Sequence, residues 1–194
     1  IITESWLEEM LQLCQQKDVG MVGAKLYYPD DTIQHAGVVV GLGGVAAHVL
    51  CKLPRDAEGY MGRLRCVQEI SAVTAACMMV KTSVFKAVGG FDEELKVAFN
   101  DIDLCMKVRK YGVKIVFTPY AELYHYESKS RGMEDTPEKQ LRFSREVNCF
   151  RRKWERELLK GDPYYNPNLT LNNTDCSLRK QEKNGSASGL MCSG

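Results

Sequence analysis

Residues 89–105 read GGFDEELKVAFNDIDLC, a glycine turn followed by the acidic start of a helix. Asn100 is the expected N-cap of that helix, and Gly112 is its expected C-terminal stop. Asp101 then takes the first helical position, where the dipole and free amides favour a carboxylate that can accept a proton. A helix-stabilising charge is the alternative for any single aspartate of a first turn. Asp103 is expected to point away from Asp101, which argues against a paired carboxylate site.

Outward from this stretch, the hydrophobic pattern predicts further helices and strands. Ser5 and Glu8 form a candidate capping box, and Thr136 with Pro137 has the N-cap and first-turn proline of a long helix. Residues 41–64 are expected to form a long loop, and loops of this length are usually functional or mobile. The expected helices cover 5–16, 82–88, 100–111 and 136–159. The expected strands cover 19–28 and 32–40 (a hairpin), 70–80 (central and buried on both faces) and 113–118 (ending at Pro119).

The composition argues against several classes of protein. The chain has 26 Lys+Arg and 25 Asp+Glu, a net charge of +1, so a protein that coats nucleic acid is not expected. No two of the eight cysteines have the two-residue gap of a zinc knuckle or a redox dithiol, which favours a reduced, cytoplasmic compartment. The longest uncharged apolar run, 36–47, is shorter than the ~20 residues that span a bilayer.

His125 is the second candidate functional residue. It ends a strand-like run over 120–125, and polar and basic side chains follow it, among them Lys129 and Arg131. A histidine in such surroundings suits a metal ligand beside an anionic phosphate. A structural or solvated histidine is the alternative.

These motifs, taken in order, resemble the acceptor-side half of family 2 glycosyltransferases, with rhamnosyltransferase-like and O-antigen assembly members the most similar. The resemblance extends from Ile1 to about Leu171. Its motifs are Gly-Gly-Phe-Asp-Glu at 89–93, Asn-Asp-Ile-Asp-Leu-Cys at 100–105, Pro-Tyr-Ala-Glu-Leu-Tyr-His at 119–125 and Glu-Ser-Lys-Ser-Arg-Gly at 127–132. It implies an α/β, GT-A-like (Rossmann-like) fold, with a mixed sheet and flanking helices.

The resemblance also implies an activity and roles for individual residues. The activity is inverting transfer of a sugar from a nucleotide-diphospho-sugar to a hydroxyl acceptor, either a glycan or a lipid-linked one, in bacterial surface polysaccharide or glycan assembly. Asp101 is the general base, and His125 contributes to a divalent-metal site for Mg²⁺ or Mn²⁺ on the donor diphosphate. Where many members have Glu before the base, this chain has Asn100. The implied substrate-binding residues are Gly89, Gly90, Phe91, Asp92, Asn100, Lys129 and Arg131.

In this family, an N-terminal half that ends in an Asp-x-Asp metal motif holds the nucleotide, and that half is expected before Ile1. Asp101-Ile102-Asp103 is interpreted as the base motif, because the first turn of this helix is not where the family has its metal aspartates. We therefore expect 1–160 to be the C-terminal portion of a GT-A domain and 161–194 to be an extended segment and disordered tail. The remaining metal ligands are expected from the missing half.

Two further hypotheses compete with catalysis. The chain is alternatively a non-catalytic remnant of such an enzyme, or a glycan-binding module that uses aromatic side chains. The candidate aromatic residues are Tyr60, Tyr120, Tyr124 and Tyr126.

The predicted long helix has an apolar stripe and a basic stripe. A surface helix with solvated arginines is one interpretation. The other is peripheral contact with anionic lipid at the inner face of the cell membrane. The apolar residues are Phe143, Val147, Phe150, Trp154 and Leu158, and the basic ones are Arg142, Arg145, Arg152 and Arg156.

Overall fold

The computed structural model describes residues 1–126 and 136–180, and a five-stranded mixed sheet lies at its centre. The strands are β1 (Val19–Tyr27), β2 (Ile33–His35), β3 (Val38–Val40), β4 (Ala46–His48), β5 (Gln68–Glu69), β6 (Met78–Val80) and β7 (Lys114–Tyr124). The helices are α1 (Trp6–Cys14), α2 (Thr82–Ala87), α3 (Asn100–Tyr111), α4 (Pro137–Lys153) and α5 (Glu155–Lys160). Strands β3 and β4 form a separate two-stranded sheet.

Strand β1 is the centre of the five-stranded sheet. It pairs in parallel with β7 and antiparallel with β2 and β6, and all nine of its residues are buried. One face packs on α1 and the other on α3 and residues 70–73. Gly23 permits this second contact, because a Cβ there would lie 2.3 Å from Cγ1 of Val73. The mixed sheet with flanking helices confirms the α/β, GT-A-like fold class.

The local signals at the N-terminal end predict its elements well. Helix α1 and strand β1 form where expected, and the β1–β2 hairpin is confirmed by the pairing of Leu26 with His35. The predicted second strand is divided, because the chain turns at Gly37 (φ +104°) and β3 pairs with β4 instead. The capping box does not form, since the Ser5 side chain makes no cap hydrogen bond.

The prediction of one central strand over 70–80 is wrong. Residues 70–74 are buried but are not a strand: the Ile70 amide donates to the Ile115 carbonyl of β7 at 3.0 Å, and Ala72 forms an isolated bridge with Val38. Ala75 and Ala76 are exposed, and the strand that follows, β6, is three residues long and pairs antiparallel with β1. Charge is absent from this run because its first half packs on β1 and α3, not because it lies between two strands.

Strand β7 continues beyond its predicted end at Pro119. The register passes from Gly23 opposite Phe117 to Lys25 opposite Glu122, so a wide irregularity in β7 includes the proline. Proline lacks the N–H that a regular ladder needs, and a bulge removes that need. The strand then runs on to Tyr124, directly before His125.

The predicted long helix is interrupted. The Thr136 side chain accepts a hydrogen bond from the Lys139 amide at 3.3 Å, which confirms the N-cap. The helix stops at Lys153, and Trp154 separates α4 from α5. Residues 161–180 then pack onto the domain through Tyr165, Leu169 and Cys176, which are buried.

The domain limits stay a prediction, and residues 181–194 lie outside the described part of the chain. Within that part, no helix combines the length and apolar character needed to cross a bilayer.

Candidate active site

Asp101 is the second residue of α3, and the turn before it differs from the prediction. The N-cap is Phe99, which adopts a left-handed conformation with φ +62°, and the helix begins at Asn100. The Asn100 side chain still satisfies one of the free amides at this end of the helix, because its Oδ1 accepts a hydrogen bond from the Asp101 amide at 2.7 Å. An aromatic residue in this conformation is uncommon. The Phe99 ring packs on Phe143 and Phe150 of α4.

Backbone amides hold both oxygens of the Asp101 carboxylate. Oδ2 accepts from the Ala75 amide at 3.0 Å, and Oδ1 accepts from the Ile102 amide at 2.9 Å. The side chain is half-buried, and the adjoining Ala75 and Ala76 are exposed. A carboxylate oxygen can accept more than one hydrogen bond, so each oxygen keeps capacity for a ligand hydroxyl. The arrangement is suited to accept a proton from a hydroxyl that lies over the 74–76 segment.

Asp103 has a different role. It is fully buried, it accepts a hydrogen bond from Trp154 Nε1 at 2.8 Å, and it pairs with Lys153 at 2.7 Å and Lys107 at 3.1 Å. These partners are on α3 itself and at the end of α4. Asp103 therefore joins the two helices, and it points away from Asp101 as predicted.

Glu146 is a residue that the sequence analysis missed. It is buried on α4, and its two carboxylate oxygens accept hydrogen bonds from the Val97 amide at 3.2 Å and the Ala98 amide at 2.8 Å. These amides directly precede Phe99, so α4 fixes the path of the chain into α3. Its spacing could have indicated that Glu146 is buried, because it lies one turn before Phe150, within the apolar stripe of the predicted helix.

The predicted acceptor-side turn lies between α2 and α3. Gly89 and Gly90 both have positive φ, and the Gly90 carbonyl accepts a hydrogen bond from Lys107. Phe91 is 47 % exposed. Asp92 accepts a hydrogen bond from Lys153, which lowers the pKa of the Asp92 carboxyl. Lys153 thus connects this turn to Asp103. A substrate role for the turn stays a prediction.

His125 lies where β7 ends, next to β1. Its backbone amide donates to the Tyr27 carbonyl at 2.9 Å, and its Nδ1 is buried without a hydrogen-bond partner among the described residues. The other two histidines are close by, with Nδ1 of His35 and of His48 3.1 Å apart. Burial, and then the nearby His48 and His125, hold the pKa of His35 well below its usual range.

A divalent metal fits these residues only in part. Nδ1 of His125 is an available ligand atom, but the described residues contain no group of three or more His, Cys, Asp or Glu side chains that could hold an ion. Lys129 and Arg131, the predicted phosphate contacts, lie outside the described residues.

The chain is similar in sequence to known proteins over most of its length. A sequence model described as "Glycosyltransferase like family 2" matches residues 1–146. The chain is 57 % identical over 176 residues to the uncharacterized protein y4gI of Sinorhizobium fredii strain NGR234, covering 90 % of this chain and 19 % of that protein. It is 39 % identical over 186 residues to the O-antigen biosynthesis protein RfbC of Myxococcus xanthus, covering 95 % of this chain and 14 % of that protein.

A shorter match links the chain to a named enzyme. The N-acetylglucosaminyl-diphospho-decaprenol L-rhamnosyltransferase of Mycobacterium tuberculosis is 36 % identical over 62 residues, which are 32 % of this chain and 20 % of the enzyme. The chain spans less than a fifth of the length of the first two relatives, 19 % and 14 % respectively. The match to the family over residues 1–146 confirms the resemblance, and the chain belongs to the glycosyltransferase-like family 2.

Proposed function

We propose that this chain forms the acceptor-side, catalytic part of an inverting glycosyltransferase. The enzyme transfers a sugar from a nucleotide-diphospho-sugar to a hydroxyl of a glycan or lipid-linked acceptor in bacterial surface polysaccharide assembly. The observation that supports this most is the Asp101 carboxylate, held by two backbone amides beside the exposed residues 75 and 76. Family membership and a relative named for O-antigen biosynthesis support the substrate class.

The chemistry assigned to the chain is one displacement. The acceptor oxygen forms a bond to the anomeric carbon while the bond from that carbon to the donor diphosphate breaks. Asp101 takes the hydroxyl proton as the bond forms and later releases it to solvent. The amides of Ala75 and Ile102 keep the carboxylate in one orientation, which lowers the entropy cost of the step. A single displacement inverts the anomeric configuration.

The proposed reaction includes a divalent metal, but the roles given above to Asp101 and the two amides do not depend on it. Mg²⁺ or Mn²⁺ on the donor diphosphate would neutralise negative charge. We propose His125 as one ligand, because its Nδ1 is buried and unpartnered among the described residues, with further ligands from outside those residues. Lys129 and Arg131 are proposed to contact the phosphates.

The stereochemistry of the product tests this function. The full-length gene product is incubated with a panel of nucleotide sugars and glycan acceptors, and the release of nucleoside diphosphate identifies a reacting pair. Proton NMR of the first product then reads the anomeric configuration. We expect inversion relative to the donor. Retention would contradict the proposal, and glycan binding without release of nucleoside diphosphate would favour a non-catalytic binding role.

We also propose a cytoplasmic location with peripheral contact of α4 and α5 to anionic lipid. Arg145, Arg152 and Arg156 are exposed, whereas Arg142 is half-buried and lies 4.0 Å from Glu146. Exposed apolar side chains, including Leu159, accompany the exposed arginines. The chain should float with vesicles of phosphatidylglycerol more than with vesicles of phosphatidylcholine, and replacing the three exposed arginines by glutamine should remove the difference. Equal flotation of the wild-type chain with both vesicles would contradict this contact.

A further inference from the structure

A cavity of about 810 Å³ lies between the central sheet and the loop over 54–65. Its size falls within the ~300–1,000 Å³ of small-ligand sites. It opens near the carboxyl ends of the parallel strands β1 and β7, the edge where open α/β sheets bind ligands. The candidate active-site residues described above do not line it. Its lining residues are Lys25, Asp31, Arg55, Asp56, Ala57, Leu64, Arg65, Pro119, Tyr120 and Glu122.

Lys25 is the unusual residue of this cavity. It lies on β1 with 4 % of its surface exposed, and its Nζ donates to the Leu64 carbonyl at 3.2 Å. An ammonium group has three N–H donors. In the described part of the chain the Leu64 carbonyl is its hydrogen-bond acceptor, and its other contact is the ring of Tyr27, whose centroid lies 5.4 Å from Nζ. Burial lowers the pKa of the Lys25 amine. Because buried donors that lack acceptors are costly, the remaining donors indicate a ligand that supplies oxygen.

The charges around Lys25 argue against an anionic ligand. The lining has three cationic and three acidic side chains. Arg55 is already paired with Glu122 at 3.0 Å and with Asp31 at 3.7 Å, and Arg65 contacts Glu58 at 3.4 Å. The cavity therefore offers donors and acceptors without an excess of positive charge. This mixture suits a neutral molecule with several hydroxyl groups, because each hydroxyl both donates and accepts.

Tyr120 supplies an aromatic surface at the same cavity. It is 54 % exposed, and its hydroxyl donates to the Arg65 carbonyl at 3.4 Å. The irregular stretch of β7 that contains Pro119 presents this residue beside the cavity. An exposed ring that is fixed at its hydroxyl end can pack against the apolar face of a sugar, while the polar lining binds the sugar hydroxyls.

We propose that this cavity binds a neutral sugar residue of the acceptor glycan, with Lys25 as hydrogen-bond donor and Tyr120 as the stacking surface. The inference rests on the proposed function, since it adds a subsite for the acceptor. The site recognises hydroxyl groups, and a phosphate or carboxylate is not required for binding.

A binding experiment on the chain as given tests this inference. The probes are neutral methyl glycosides of glucose, galactose, mannose and rhamnose, with glucuronate and inorganic phosphate as anionic comparisons, followed by saturation-transfer NMR. We expect at least one neutral glycoside to bind with millimolar affinity. Tyr120→Ala should weaken binding roughly tenfold, because the stacking surface is lost. Lys25→Met, which keeps the length of the side chain but removes its donors, should weaken it similarly.

Tyr111→Ala is the matched control, because Tyr111 is 56 % exposed on α3 and does not line the cavity. Its binding should equal that of the wild-type chain. The inference is overturned if no neutral glycoside binds, if Tyr120→Ala leaves the affinity unchanged, or if the anionic probes bind more tightly than the neutral ones. The proposed transfer reaction is tested by the anomeric configuration of its product, whereas this subsite is tested by glycoside binding to the chain, so the two proposals fail separately.

Discussion

Asp101 and Asp103 are two residues apart in one helical turn, yet their surroundings differ completely. A separation of two residues turns a side chain about 200° around the helix. One carboxylate therefore contacts the exposed residues 75 and 76, and the other is buried against Lys153 and Trp154. The sequence shows this separation through helical geometry. It does not show the two partners of Asp103 that come from the far end of α4, Lys153 and Trp154.

Replacing Asp103 by asparagine should destabilise the protein far more than the same change at Asp101. The substitution leaves Lys153 and Lys107 without their buried counter-charge, and we expect a loss of about 3 kcal/mol in the free energy of unfolding. Asp101→Asn should cost less, about 1 kcal/mol, because the amide that loses its acceptor belongs to the exposed Ala75 and can bond to water instead. Urea denaturation of both variants measures the difference. Equal losses would contradict the structural role of Asp103.

His35 should make the stability of the protein depend on pH. Burial, and then His48 and His125, lower its pKa in the folded state, so only the unfolded chain binds its proton near pH 6.5. The contribution of the neutral His35 to the free energy of unfolding is complete above that pH and is lost as the pH falls. The free energy of unfolding then changes by at most about 1.4 kcal/mol per pH unit.

Urea midpoints between pH 8 and pH 5 test this dependence. The Thr74 amide donates to Nε2 of His35 at 3.5 Å. His35→Gln keeps an acceptor for this amide but cannot be protonated, so it should flatten the slope between these pH values. An equal dependence of the urea midpoint on pH in the wild-type protein and in His35→Gln would contradict the lowered pKa of His35.

At the scale of elements, α4 holds the entrance to α3. Glu146 of α4 accepts hydrogen bonds from both amides of the turn before Phe99. The Phe99 ring packs on Phe143 and Phe150, which are also on α4. The position of Asp101 is thus set by a helix that comes after the 127–135 segment in the chain. Sequence periodicity assigns Phe150 to the core. It does not show which groups the neighbouring Glu146 contacts.

Glu146→Gln should loosen this turn. A glutamine has one acceptor oxygen, and its amide group would face the second backbone N–H, so we expect a loss of about 2 kcal/mol in the free energy of unfolding. Hydrogen exchange should accelerate at the amides of Val97 and Ala98. Glu155→Gln, an exposed change in α5, is the control and should leave both amides protected. Unchanged exchange in Glu146→Gln would show that α4 does not hold the turn.

Elements with local signals were predicted from the sequence, and those with distant partners were not. The β1–β2 hairpin and the Thr136 cap follow from a turn and a capping residue that lie within the elements themselves. The uncharged run over 70–80 has no such local signal. Its first half is buried because it packs on Gly23 and α3. The run therefore has the apolar composition of a central strand without forming one.

At the scale of the whole molecule, residues 161–180 connect distant parts of the chain. Asp162 accepts hydrogen bonds from the Ser71 hydroxyl at 2.6 Å and from the Val40 amide at 2.8 Å. Arg109 of α3 donates to the same Ser71 hydroxyl at 3.1 Å. The segment therefore supports β3, the start of the 70–74 run and α3 together. Its Asn- and Pro-rich composition does not indicate these contacts, because they are made by single polar atoms.

The candidate site could be predicted in part from the sequence. The spacing of the motifs indicates Asp101 and His125, and the structure shows what holds each of them. The amide of Ala75, the acid at Glu146 and the cavity around Lys25 come from segments that meet only in the folded chain. No local pattern in the sequence could have brought them together.

The rate of sugar transfer by Asp101→Asn decides whether Asp101 is the general base. The substitution nearly preserves the shape of the side chain but removes its ability to take a proton. In the full-length gene product, kcat should fall by about 10²–10⁴-fold, while the affinity for the acceptor stays within error of the wild-type value. A kcat close to that of the wild-type enzyme, with a folded variant, would contradict the assignment of Asp101 as the general base.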